Sequence, residues 1–465
     1  MAIKEDERNA WLKLTDQERK EALGMADEYL HFLNTAKTER ETVSFLEEHL
    51  TANGFIALPS VQKLKAGQKI FIKERDKIAA AAIIGKKPFI DGLNIVASHS
   101  DVPRLDLKPS PLYEDSGLAL FKTHYYGGIK KYQWTALPLA LHGVVVKKSG
   151  EKVDVRIGED DDDPVFTITD LLPHLAKDQM EKKMSEGITG EGLNVLIGSL
   201  PNTKGDKKEK EKDRIKAAIK QHLQARYGID EEDFTSADLQ VVPALKAREI
   251  GFDRSMIGAY GQDDRISVFT SLKALLDVEK PQRTVMCVFA DKEEIGSVGN
   301  TGLRSYFIEN ALSDLMEKAG PVDYHHIRKA LRASHALSAD VNGALDPNYG
   351  EVFDKMNSAK VGEGVSVTKY TGSRGKYDAS EAHAEFVAAI RNLFDENEVP
   401  WQIGELGKVD QGGGGTVAQF LARYGMDVLD CGVAILGMHS PYEVASVADI
   451  YAAYKAYLVF MKHFK

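Results

Sequence analysis

The stretch Thr284-Val285-Met286-Cys287-Val288-Phe289-Ala290-Asp291-Lys292-Glu293-Glu294-Ile295-Gly296-Ser297 decides how this chain is read. Its first half is a continuous apolar run, which predicts a strand buried on both faces of a mostly parallel sheet. Two adjacent carboxylates follow where that strand ends, with a glycine close behind. In open α/β sheets the carboxyl ends of the strands form the ligand crevice. Neighbouring side chains of a strand point to opposite sides, so one of this pair can hold a cation while the other handles a proton. A Glu-Glu pair alone is more simply a solvated loop. Its company elsewhere in the chain decides.

The same pattern recurs on both sides of it. Leu93-Asn94-Ile95-Val96-Ala97-Ser98-His99-Ser100-Asp101 is a second apolar strand ending in polar residues, with His99 and Asp101 spaced His-x-Asp. Gly261-Gln262-Asp263-Asp264-Arg265 leads into an apolar-periodic helix, Ile266 to Val278. Ala333–Val341 reads as a strand that runs into Asp340. Cys431–Leu436 reads as a buried strand that runs into Gly437-Met438-His439-Ser440-Pro441. Five apolar elements thus end in a hard-metal donor: His99, Asp263, Glu294, Asp340 and His439. Singly, each is a cap, a turn former or a hydrogen-bonded histidine. Together, two histidines and three carboxylates suit a pair of divalent ions about 3.5–4 Å apart with one carboxylate bridging. Zinc, manganese and cobalt accept such mixed nitrogen and oxygen sets.

Composition bounds the remaining possibilities. The chain has 465 residues, 43% of them hydrophobic, enough for a sizeable core in two or three domains. A formal net charge of −10 argues against general binding to nucleic acid or anionic membrane. The two cysteines, Cys287 and Cys431, lie in apolar runs and read as buried free thiols in a reducing cytoplasm. The opening residues Met1–Arg8 carry no apolar signal core, and no run approaches about eighteen apolar residues. Neither export nor a membrane span is expected.

Along the chain, Asp16 to about Ala36 is helical in pattern, and a second helix begins at the capping box Thr38-Glu39-Arg40-Glu41 and leaves at Asn53-Gly54. After about Leu107 the pattern turns to antiparallel β, with aromatic and β-branched runs from Tyr125 to Lys148. Glu159-Asp160-Asp161-Asp162-Asp163 reads as a solvated turn, since an EF-hand needs a glycine and a terminal glutamate at other spacings. Lys204–Arg214 is a mixed charge run that leads into a helix from Ile215 to Tyr227. Strand–helix alternation then resumes, with helices expected at Ser305–Lys318 and Asp378–Glu396, one opened by Gly412–Gly415, and a last one at Val447–His463. The fold class is therefore α/β: a mixed-sheet, three-layer catalytic domain of residues 1–106 and 254–465, interrupted by a smaller β-rich domain at 107–253.

Ala97-Ser98-His99-Ser100-Asp101, Asp263-Asp264-Arg265, Asp291–Ser297, Ser338-Ala339-Asp340-Val341 and Met438-His439-Ser440 resemble, in order, the motifs of the aspartyl-aminopeptidase family of co-catalytic dinuclear metallopeptidases. The match spans about 97 to 443. Asp346-Pro347-Asn348-Tyr349 resembles the family's His-Pro-Asn-Tyr with Asp in place of His. The resemblance implies that Asp263 bridges two metal ions, His99 and Asp340 complete one, and Glu294 and His439 complete the other. Glu293 would be the general base and Asp101 would fix the His99 imidazole from behind. It also implies that the inserted domain mediates dimers, and that dimers build a dodecamer which admits peptides with a free N-terminus. His174, in Asp170-Leu171-Leu172-Pro173-His174-Leu175, matches the surroundings of the histidine that steadies the oxyanion of a neighbouring subunit. Arg374 or Lys376 would select acidic amino-terminal residues. Gly413, in the four-glycine run, would let the substrate backbone approach closely, and Asp410 would receive the substrate's α-amine. Another metal-dependent amide hydrolase, such as a carboxypeptidase or N-acyl amino acid deacylase, or a non-catalytic assembly protein on the same fold, remain as alternatives.

Overall fold

The computed structural model of the chain describes residues 8–202 and 213–465; the opening stretch through Glu7 and most of the Lys204–Arg214 charge run lie outside the described residues. Its organising strand, Val285–Ala290, is buried at every position. It pairs in parallel with Asn94–His99, which pairs in parallel with His335–Ser338, which in turn pairs in parallel with Asp427–Gly432. This four-stranded parallel core is extended antiparallel on one side by Ile78–Ile83 and Lys69–Glu74, with Ile56–Ala57 at the edge. On the other side Val365–Thr368 is antiparallel and Trp401–Ile403 closes the sheet. The result is a nine-stranded mixed sheet.

Period-two alternation explains why both faces are dry. Val285, Cys287, Phe289, Val96 and Leu337 enter one core cluster, with residues of the helices Asp16–Thr35, Gln262–Leu276 and Val447–His463. Met286, Val288, Ile95, Ala97 and Ala336 enter the other, with residues of Phe307–Ala319 and Tyr324–Arg332. Both cysteines are buried free thiols. Full capping boxes at Thr15 and Thr38 start the first two long helices, each satisfying amides that a helix start leaves open. A separate five-stranded sheet contains Arg248–Ile250, Met256–Ala259, Glu443–Ser446, Ala434–Leu436 and Asn342–Gly343.

These elements make one compact unit of residues up to Val102, Ala247–Met438 and Tyr442–Lys465. A second unit contains Pro103–Lys246 with His439–Pro441. The second unit is built on a six-stranded antiparallel sheet that includes Arg104–Asp115, Leu118–Tyr126, Leu139–Val146 and Ala237–Pro243. Its bounds differ from the expected 107–253. Arg104–Asp115 is one continuous strand, and Arg248–Ile250 pairs with Met256–Ala259 in the first unit's sheet. The acidic turn also differs from expectation: Glu159 is buried and lies 3.1 Å from His142 Nε2, while Asp160–Asp162 are exposed. The helix expected from Asp378 begins only at Ala384. The one expected from the glycine run is the short Ala418–Ala422.

Candidate metal centre

Most of the candidate donors sit at or just past the end of a strand, and Asp263 opens the helix Gln262–Leu276. His99 is the last residue of Asn94–His99. Asp340 lies two residues beyond His335–Ser338, and Glu293 and Glu294 form a 3₁₀ turn three residues past Ala290. That turn is held in shape by unusual backbone and buried polar bonds. Lys292 and Gly296 on either side of it have φ of +65° and +89°. Asp291 Oδ2 accepts from the Thr301 hydroxyl at 2.6 Å and from Lys292 Nζ at 2.9 Å. Asp101 completes the support: its two carboxylate oxygens accept the Glu293 and Glu294 main-chain N–H groups at 3.0 and 3.1 Å. Asp101 Oδ1 also lies 3.3 Å from His99 Nδ1, whose closest partner is the Asp101 carbonyl oxygen at 3.0 Å. One buried carboxylate thus aligns the imidazole and both glutamates.

His99 Nε2 points the other way. Asp263 Oδ1 is 3.4 Å from it and Asp340 Oδ1 3.7 Å, and among the described residues this buried nitrogen makes no hydrogen bond. Donor atoms of His99, Asp263 and Asp340 all lie within 4.8 Å of one another, as do those of His99, Glu293 and Glu294. The Asp263–Asp264 peptide is cis, and Asp264 Oδ2 accepts the His99 main-chain N–H at 3.2 Å.

The electrostatics describe a site short of positive charge. Burial, then the charge of Asp340, pushes the Glu293 carboxyl up to about 8. Burial also raises Asp340, against the pull of His99. Burial resists protonation of His99, yet the carboxylates of Asp101, Asp263 and Asp340 outweigh it and lift the imidazole well above its ordinary value. A buried imidazole nitrogen without a proton partner, facing carboxylate oxygens that repel one another, is a donor set that fits a divalent cation of the zinc class.

The remaining candidates are placed as follows. His439 has φ of +64°, and its Nδ1 lies 2.9 Å from the Gly128 carbonyl oxygen within the second unit. His174 is exposed on the 3₁₀ turn Pro173–Leu175 of that unit. Lys376 is already engaged: its Nζ lies 3.0 Å from Glu381 Oε1 and 3.8 Å over the Tyr370 ring. Arg374 is exposed and makes no ion pair among the described residues. Asp410 is exposed, with φ of +69°. Gly413 has a structural task. A Cβ there would lie 2.2 Å from the Gly372 carbonyl oxygen, because the glycine run packs on the 371–377 loop. Asp346, where the family has histidine, caps the 3₁₀ turn that follows and accepts the Asn348 N–H at 2.8 Å. Sequence reading missed Glu443, a fully buried carboxylate that accepts the main-chain N–H groups of Gln262 and Asp263 at 2.6 and 3.1 Å. Its signal is an acidic residue inside the apolar-flanked Tyr442-Glu443-Val444-Ala445.

Comparison with known proteins gives the family. The family model described as "Aminopeptidase I zinc metalloprotease (M18)" matches residues 32–461. A probable M18 family aminopeptidase 1 of Clostridium acetobutylicum is 49% identical over 460 residues, covering 98% of both chains. The crystal structure of an M18 aminopeptidase from Thermotoga maritima superposes with a TM-score of 0.93 at 45% identity, covering 98% of both chains. That of aminopeptidase I from Clostridium acetobutylicum gives 0.90 at 46% identity, covering 99% of this chain and all of that one. Among the described residues no helix is long and apolar enough to cross a membrane. The chain belongs to the M18 family of zinc aminopeptidases, metal-dependent exopeptidases with a mixed α/β fold.

Proposed function

We propose that this enzyme removes amino-terminal residues from peptides at a centre of two divalent ions, zinc in the first instance, with manganese or cobalt as substitutes. Asp263 would be shared by the two ions, His99 and Asp340 would complete one set, and Glu294 and His439 would complete the other. The observation that carries the reading is the buried His99 Nε2 facing Asp263 and Asp340, with the Glu293–Glu294 turn within ligand reach. When bound, such ions polarise the scissile carbonyl and bring a water's pKa towards neutrality.

The chain's own residues do the rest. Glu293 accepts the proton of the attacking water and passes it to the leaving amine. A carboxyl whose affinity for protons is raised by burial suits both steps. Asp101 holds Glu293, Glu294 and His99 in register, so that base and ligands cannot drift apart. The exposed His174 of the partner subunit steadies the oxyanion, and Asp410 receives the α-amine. Arg374 selects an acidic first residue, since Lys376 is matched by Glu381. The second unit mediates dimers that assemble into a dodecamer in the cytoplasm; a related yeast aminopeptidase of the same fold has been solved as a dodecamer. Metal content tests the ligand set: His439→Ala should lower occupancy from two ions per chain, and full occupancy in that variant refutes the assignment.

A further inference from the structure

The turn that carries Asp263 is gripped from two sides by a pair of buried, oppositely charged side chains. Arg265, fully buried, donates from Nε to the Gly261 carbonyl at 2.7 Å. Its two terminal nitrogens donate to the carbonyls of Tyr260 and Ala36. From the opposite side Glu443 Oε2 accepts the N–H groups of Gln262 and Asp263 at 2.6 and 3.1 Å. The Gln262 side chain adds a third tie, donating from Nε2 to the Glu443 carbonyl at 2.8 Å and to the Ile257 carbonyl at 3.1 Å. The carbonyls of one short turn are thus held by a cation and its amides by an anion. Gly261, at φ +66°, leaves the room this needs; a Cβ there would lie 2.9 Å from both Arg265 Nη2 and Val102 Cγ1.

We propose that Glu443, with Arg265 opposite, is a positioning residue for the metal centre: the two fix the Tyr260–Asp263 turn so that the Asp263 carboxylate meets both ions. The inference rests on the proposed role of Asp263 as the bridging ligand. Two charges buried only to brace a fold are a poor bargain, because desolvation offsets most of their attraction. Charge-assisted bonds to main-chain groups are short and directional, which is what a bridging carboxylate requires, since ligand distances are held to about 0.2 Å. The antiparallel register of Met256–Ala259 with Glu443–Ser446, which sets Glu443 opposite Ala259, brings the carboxylate to this turn.

A built-in comparison separates positioning from bracing. Asp449 is also fully buried, and also accepts two main-chain N–H groups, those of Gly362 and Gly364 at 2.6 and 2.7 Å. It braces a different turn. The test measures zinc affinity by chelator competition, bound metal per chain, and the melting temperature of the metal-free protein, for wild type, Glu443→Gln, Glu443→Ala and Asp449→Asn. Both Glu443 variants are expected to lose zinc affinity, roughly 10–100-fold for alanine and less for glutamine. Asp449→Asn is expected to lose melting temperature while keeping wild-type affinity. Wild-type affinity in Glu443→Gln, or equal losses in Glu443→Gln and Asp449→Asn, overturns the proposal. Should Glu443→Ala not fold, the glutamine variant decides alone. A wild type that binds no metal would instead refute the metal centre itself.

Discussion

Replacing Gly432 by alanine would set a methyl carbon 1.9 Å from the Asp340 carbonyl oxygen and 2.6 Å from its carbonyl carbon. Real Cβ atoms essentially never approach closer than 3.0 Å, so the strand ends must part by at least about 1.1 Å. Both partners are backbone, so no side chain can swing aside. Overpacking of this kind costs about 1–3 kcal/mol of stability. The functional loss is larger, because the displaced residue is a proposed ligand: a shift of about 1 Å in a reacting centre costs on the order of 100-fold. Gly85→Ala supplies the control. Its Cβ would lie 2.3 Å from the Arg283 carbonyl carbon, a somewhat milder clash that is also with backbone, just before the start of Val285–Ala290 and away from the carboxyl ends that carry the proposed donors. Metal content, zinc affinity and turnover of both variants would be measured alongside thermal melting. Both should melt earlier, and only Gly432→Ala should lose metal and at least about 100-fold in kcat/KM. A folded Gly432→Ala protein with wild-type zinc affinity and turnover would refute the placement of Asp340 in the centre.

Glu293→Gln should keep its metal while turnover falls by roughly 10²–10⁴-fold, the span of a lost general base; loss of metal in step with turnover would make Glu293 a ligand instead. Arg374→Ala should erase any preference for acidic first residues, whereas Lys376→Ala should leave it intact because Glu381 already matches that charge; the reverse pattern sinks the assignment. His335, set between Phe386 and Phe464, is held below the usual imidazole pKa first by burial and then by Arg283, against Asp427. The unfolded chain therefore takes up the proton more readily. The stability contributed by the neutral ring is present above about pH 6.5 and declines as pH falls through the folded value. On acidification from pH 7 to 5 the melting temperature of wild type should fall relative to that of His335→Phe, and a constant difference across that range would show that His335 does not titrate differently on folding.

The parallel core was legible because its strands are unbroken apolar runs that end abruptly in charge, as at Phe289-Ala290-Asp291. The helix caps at Thr38 and Asn53-Gly54 were legible because capping is local chemistry. Tyr324–Arg332 was missed: only Ile327, Ala330 and Leu331 are buried, and two histidines and three basic residues obscure the stripe. The start of the Ala384–Glu396 helix was placed too early, since Asp378 has φ of +58° and ends any helical course there. The proposed donors His99, Glu294 and Asp340 each follow an apolar run, and Asp263 a glycine before a helix, so local pattern alone suffices to nominate them. Glu443 is not among them. Its role comes from a register between strands almost two hundred residues apart in the chain, which no local pattern encodes. Glu159 shows the same limit, since its partner His142 lies 17 residues earlier, on the strand Leu139–Val146.

The most direct measurement takes metal-free protein, adds back zinc, manganese or cobalt, and follows hydrolysis of Asp-, Glu-, Leu- and Lys-anilides beside their N-acetylated forms. Metal-restored cleavage confined to the free-amine substrates, fastest with Asp and Glu, is the expected result. Cleavage fastest with Leu or Lys would keep the aminopeptidase centre and remove Arg374 from its proposed task. Cleavage of the acetylated forms, or none at all with two ions bound, would contradict the proposed reaction.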